Sequence, residues 1–322
     1  MQYVLDAVAT RRQITAMKCC ATTVWFPLVI VGLVACREKR SGGANSAGKS
    51  LPPVYSLGPA GNKNWNADAG PVMIVSTGSA GDTAEVIFPE ATDSTIASFE
   101  RIVPPISGLT FDLFGRGGKV ESSVSALPLP PADTNEECHS WPLARLRSAR
   151  ANWRVGFASG RVNAIKVDSI EGMSSTDSAA LAASLARTAA TLPVTVDPTF
   201  RGLPFRVRSA FTFRLDSVDV VVADVVRSVN EEANPRLEHI LIVGEKAAST
   251  TGKYNVGYYS RTAGAEESTQ ATEVLTMVQI GVVKRPAIVV DIEYDDASKL
   301  ALIERTADGQ WRATWRSAYA DC

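Results

Sequence analysis

Val218-Asp219-Val220-Val221-Val222-Ala223-Asp224-Val225-Val226-Arg227-Ser228-Val229 is the stretch on which the fold turns, because its pattern fits two structures. Val222, Val225, Val226 and Val229 recur at helical spacing. Yet valine is stiff at χ1 and packs best on a pleated surface, so the segment is read as a strand. Its neighbours then fall into a row of strands: Phe205 to Leu215 before it, and Leu237 to Glu245, Lys253 to Ser260, Val274 to Val283, Ala287 to Glu293 and Leu300 to Trp315 after it. The row ends in a hairpin. Asp308-Gly309 has the composition of a two-residue turn, and period-2 alternation puts Trp311, Ala313 and Trp315 on one face.

Working back from this row, one helix stands out. Ser174 to Asp177 supply capping side chains, Ala179 to Ala190 is alanine-rich with Leu181, Leu185, Thr188 and Leu192 on one stripe, and Pro193 ends it. Its small residues suit close packing on a sheet. Trp153 to Phe157 and Val162 to Val167 flank Ala158-Ser159-Gly160-Arg161 and read as a hairpin. Leu109 to Leu113 and Lys119 to Ser125 read as another, around Gly115-Arg116-Gly117-Gly118. Val72 to Val75 and Ala84 to Phe88 are two further strands. Pro128, Pro130 and Pro131 mark the stretch from Leu127 to Asp133 as an extended connector between subdomains. The expected fold is α+β, mainly antiparallel β, with hairpins and a meander and one principal helix on the sheet. Residues 67–137 form an N-terminal β subdomain and 138–322 a C-terminal α+β domain.

The first 66 residues read differently. Arg11, Arg12 and Lys18 precede an apolar run of 15 residues from Ala21 to Ala35, too short to cross a bilayer as a helix. Thr10-Arg11-Arg12-Gln13-Ile14 resembles part of a twin-arginine export signal. Leu33-Val34-Ala35-Cys36 resembles the lipobox of bacterial lipoproteins. That resemblance implies a signal peptide over 1–35, cleavage before Cys36, and lipidation of its thiol and new amino group, with more than one acyl chain needed for firm anchoring. It also implies a cell-envelope protein. Arg37 stands where an aspartate marks inner-membrane retention in that family, which favours the outer membrane. Residues 36–66, rich in Gly, Ser, Asn and Pro, read as a flexible tether.

Charge is divided along the same line. Residues 1–66 carry eight basic and two acidic side chains, while the whole chain is −1, so residues 67–322 carry −7. An acidic globular part argues against a nucleic-acid partner, which would need a basic face. The basic residues near Cys36 suit anionic lipid head groups. Of five cysteines, Cys19 and Cys20 leave with the signal and Cys36 is lipidated. Cys138 and Cys322 remain, and in an oxidising envelope such a pair is most simply a disulfide. Two unpaired thiols are the alternative, since sequence does not place their Cβ atoms together.

Chemistry-bearing motifs are sparse. Gly43 to Ser50 matches the P-loop pattern letter for letter, but Pro52-Pro53 prevent the helix that phosphate binding needs, so it is read as tether. Asp291, Glu293 and Asp295 alternate on one strand and are the metal candidate, with calcium the ion their oxygens suit. They do not make an EF-hand, because Asp296 stands where that loop has glycine. His139 and His239 are the only histidines, and no nucleophile elbow occurs. Glu231, Glu232 and Glu238 offer carboxylates near a polar turn. Tyr254, Tyr258, Tyr259, Trp311, Trp315 and Tyr319 form either a ligand groove or core. No residue is assigned to catalysis and no cofactor is expected. The favoured function is a binding or structural envelope module acting on a partner protein or small ligand. The alternative is an envelope hydrolase that uses carboxylates with calcium assistance.

Overall fold

A computed structural model describes residues 65–77, 79–92, 108–129, 141–147, 149–193, 197–230, 234–249, 253–294, 297–318 and 320–321. Val218–Val229 is a twelve-residue strand, hydrogen-bonded on both sides. Numbered along the chain, the strands are β1 (Met73–Thr77), β2 (Thr83–Ile87), β3 (Thr110–Gly115), β4 (Gly118–Leu129), β5 (Leu143–Arg147), β6 (Val155–Ala158), β7 (Val162–Ala164) and β8 (Asp168–Ser169). After helix α1 (Ser175–Thr191) come β9 (Arg206–Leu215), β10 (Val218–Val229), β11 (Arg236–Ala247), β12 (Asn255–Ala265), β13 (Ala271–Ile280), β14 (Arg285–Tyr294), β15 (Ala297–Arg305), β16 (Trp311–Arg316) and β17 (Ala320–Asp321). The fold is α+β and mainly antiparallel, with one principal helix. β8 to β12 make a five-stranded meander, and β13 to β16 make a second meander whose other edge is β7.

Three apolar clusters stack these elements. Ile74, Phe111 and Phe157 from the first strands pack with Val289, Leu302 and Trp315 of the β13–β16 sheet. The other face of that sheet, through Met277, Ile288 and Ile303, packs on Phe213, Val222, Leu241 and Tyr258 of the β8–β12 sheet. The far face of the β8–β12 sheet, through Val221, Ala223, Ile240 and Ile242, receives Leu185, Ala189 and Leu192 at α1. Both sheets are therefore covered on two sides. An antiparallel sheet with one wet face alternates apolar and polar residues; one covered twice reads as an unbroken apolar run. Val220 to Ala223 is such a run, with all four residues fully buried.

The first strands close into a barrel in the order β1-β2-β5-β4-β3-β6, which leaves no unpaired edge. Position 137/138, the expected division of the fold, falls between β4 and β5 of this one barrel, so strands from both sides of it share a hydrogen-bonded ring. The proline stretch is also partly strand. Pro128 and Leu129 continue β4 and pair with Ala144 and Leu143 of β5. On the other side of β4 the register with β3 is described as far as Val124, with Ser125 still bonded to Gly108 and Leu109. Gly156 sits between its register partners Ile74 and Leu113, and an added Cβ would fall 2.6 and 2.8 Å from their side chains. Asp112, nearly fully buried, accepts hydrogen bonds from Lys119 (2.8 Å), Ser122 (2.7 Å), Ser159 (2.7 Å) and the Gly160 amide (2.9 Å). Burial alone would raise its pKa, but these donors outweigh it and hold the carboxyl at about 2.

Two expectations about hairpins change. β6 and β7 do not pair with each other. β6 belongs to the barrel, whereas β7 joins β13, so Ala158 to Arg161 is a corner at which the chain changes sheets. The last turn is a three-residue one, since the Thr306 amide donates to Gln310 O (2.8 Å) and Gly309 takes φ 77°. Beyond it, Leu302 pairs with Trp315 and Ile303 with Ala313, which leaves Thr314 as an extra residue in a β-bulge. The bulge reverses the alternation. Trp311 faces the five-stranded sheet, and Trp315 faces the barrel. Both are buried, and their indole N–H groups donate to Glu245 (2.6 Å) and to Pro89 O (2.9 Å).

Candidate functional site

α1 is Ala-rich and only 17 residues long, so it cannot cover the whole face of the sheet beneath it. Ser174 caps its start by accepting from the Asp177 amide (3.1 Å). Only Leu185 and Ala189 within the helix are buried. Its N-terminal half instead forms one wall of a cleft of about 640 Å³, through Ala180, Leu181 and Ser184, with Met173 just before the helix. The floor is a row across neighbouring strands. Asp219 on β10 pairs in register with Arg214 on β9 and Lys246 on β11, and Tyr254 follows. Arg214 Nε lies 3.0 Å from Asp219 Oδ1, and the Lys246 ammonium lies 4.9 Å from the Tyr254 ring centre. Lys166 and Asp168 also line the space. Burial raises the Tyr254 phenol pKa, and the Asp219 charge adds to it. The cleft thus sets an apolar wall against three cations and two carboxylates, with no histidine or cysteine among its lining residues. Such a surface has the shape and the mixed lining to seat a ligand with an apolar and a charged part.

A second cleft of about 380 Å³ opens where the two large sheets part. Val226, Leu237 and His239 line it from one sheet, Ala271 and Glu293 from the other, and Glu266, Glu267 and Thr269 from the connection between β12 and β13. His239 and Asp224 are both nearly fully buried, with Nδ1 3.5 Å from Oδ1, and Arg208 Nε lies 3.6 Å from Asp224 Oδ2. A carboxylate at Nδ1 orients an imidazole for acid–base work. The one hydroxyl among the cleft's lining residues is already engaged, as Thr269 donates to Ala265 O at 2.6 Å.

The remaining sequence candidates scatter. Cys36, Cys138, Cys322, Asp295, His139, Glu231, Glu232, Tyr319 and the stretch from Gly43 to Ser50 lie outside the described residues. Asp291 has a buried, unpartnered Oδ1, and its pKa is pushed up to about 6 by burial, with the Glu293 and Glu273 charges adding and Ser298 and the Ile292 amide opposing. Glu293 is exposed. Among the described residues no three Asp, Glu, His or Cys side chains come together as a metal site. Glu238 is not on a polar turn; it is buried beside Arg227 and Arg261. Tyr258, Tyr259, Trp311 and Trp315 are core residues shared among three clusters, not one groove, while Tyr254 does line the cleft under α1. The charged row Arg214–Asp219–Lys246 escaped the sequence reading because its members are adjacent only across strands. Asp224 carried a signal, a carboxylate inside a valine run, without its partner. Comparison with known proteins finds no matching family model, no matching curated protein and no matching solved structure.

Proposed function

We propose that the chain is a lipid-anchored binding module of the cell envelope that seats a small amphipathic anion between α1 and the five-stranded sheet. The observation that carries the ligand reading is the apolar wall of Ala180 and Leu181 set against the Arg214–Asp219–Lys246 row, with one more cation than carboxylate in the lining. Its volume is in the range of small-molecule sites. The anchor reading rests on Leu33 to Cys36: Cys36 is the mature N-terminus, residues 36–66 are its tether, Arg37 favours the outer membrane, and Cys138 pairs with Cys322. Fatty-acid labelling is expected to tag the wild type and not Cys36→Ser; equal labelling defeats the anchor. Anilinonaphthalene sulfonate, an amphipathic anion, is expected to bind saturably and at least tenfold more weakly to Lys246→Glu, with stability changed by less than about 0.5 kcal/mol as for other surface substitutions. Equal binding by both proteins defeats the ligand reading.

The hydrolase reading is favoured by one observation, the Asp224–His239 contact at the mouth between the sheets, with Glu266, Glu267 and Glu293 around the same opening. Water would have to be the nucleophile, activated by His239. Turnover of an ester or glycoside that disappears in a folded His239→Gln variant would establish it.

A further inference from the structure

Past the C-terminal end of α1, the same sheet face carries charge in its interior. Glu238 on β11 accepts from Arg227 Nε on β10, and Arg261 Nε on β12 lies 3.0 Å away. Arg227 also donates to Phe200 O (2.7 Å) and stacks 4.5 Å from the Phe205 ring centre, while Arg261 Nη1 donates to Pro193 O (2.6 Å). The side chains of Arg227, Glu238 and Arg261 are 9%, 2% and 5% exposed. Arg236, half out of the interior, pairs with Asp197 at 2.5 Å. Three guanidiniums thus face two carboxylates, which leaves one positive charge unbalanced among the described residues.

The hydrogen bonding is unbalanced in the same sense. Among the described residues, Arg261 Nη2 and the hydroxyl of Tyr259, two residues away on the same strand face, are buried without any partner; there too Arg261 Nε makes no hydrogen bond despite its approach to Glu238, and Arg236 Nε is likewise unpaired. Tyr259 is fully buried. Every one of these open groups can donate. A buried donor left unpaired costs about 1–3 kcal/mol, and an unpaired buried charge costs more. Burial lowers the Arg261 pKa and Arg227 adds to that, against the opposing pull of Glu238, so its charge is under pressure where it stands. What is missing is an acceptor that carries negative charge.

We propose that Arg261 Nη2 and the Tyr259 hydroxyl hold a small monovalent anion of chloride's size, which completes the Arg227–Glu238–Arg261 cluster. Monovalence follows from the surplus of one charge. Small size follows from the surroundings, since Leu192, Phe205 and Ile240 pack on this face and Glu238 already occupies one side. The site is separate from the cleft under the N-terminal half of α1 and stands whether or not that cleft binds a ligand.

Thermal melts of the full chain at fixed ionic strength, with chloride exchanged for gluconate, test the proposal. Chloride is expected to raise Tm along a saturable curve that gluconate does not reproduce, because an anion that binds only the folded state stabilises it by mass action. In Tyr259→Phe the half-saturating chloride concentration is expected to rise at least tenfold. Bromide-soaked crystals of the wild type need no variant and are expected to show anomalous density between Arg261 and Tyr259. Melts indifferent to anion identity, a chloride effect unchanged in Tyr259→Phe, or bromide density only elsewhere (an adventitious ion only) would each overturn the site.

Discussion

The two faces of the five-stranded sheet are built from the same strands and finish differently. One face meets another sheet of similar span and is mostly apolar core, with Phe213 against Trp311 edge to face at 6.4 Å, and it carries charge at its margins, in Asp224 with His239 and in Glu245 with Arg305. The other meets a single 17-residue helix that buries only its C-terminal half. Past either end of that contact the sheet keeps charged side chains: Arg214, Asp219 and Lys246 in an open cleft, Arg227, Glu238 and Arg261 in the interior. A face matched in size by its partner carries stability. A face only partly matched has room for chemistry.

The contrast breaks first at its strongest point. Trp311→Ala on the mostly apolar face is expected to cost about 3–5 kcal/mol in denaturant melts, because a large cavity opens and Glu245 loses its indole donor. A loss below about 1 kcal/mol would mean that this face is not core. On the helix face, Glu238→Ala is expected to cost roughly 3–5 kcal/mol by leaving two buried guanidiniums unpaired. Glu238→Met paired with Arg227→Met should restore much of it; if the single change is harmless, that end of the sheet is wetter than described.

The barrel gives a reference that belongs to neither face. Asp112 has a depressed pKa, so the stability it contributes is complete above its ordinary value of 3.8 and is lost as pH falls through about 2. Asp112→Asn is expected to cost roughly 2 kcal/mol at pH 7 and to flatten the dependence of unfolding free energy on pH between 4 and 2. An unaltered acid limb in Asp112→Asn would show that the four donors do not hold the carboxylate.

Much of the fold was legible in the sequence. β-branched density identified Val218 to Val229 as a strand, and Ser174 with Pro193 bounded the helix. Three features were hidden for definite reasons. Ala158 to Arg161 has the composition of a hairpin turn, and nothing local distinguishes a turn that returns from a corner that changes sheets. The Thr314 bulge is one residue long, yet it sends Trp311 and Trp315 to opposite sides. Pro128 looked like a break because its pairing with Ala144 is a property of the barrel. The cleft was the least legible part, since Arg214, Asp219 and Lys246 meet only once three strands are in register.

The central claim is that the uncovered end of the helix face is the working surface. Hydrogen–deuterium exchange with and without anilinonaphthalene sulfonate tests it directly. Added protection is expected in residues 175–184, 212–219 and 244–247, and none around His239. Protection confined to the mouth between the sheets, or absent from all three segments while the probe is bound, would contradict the claim.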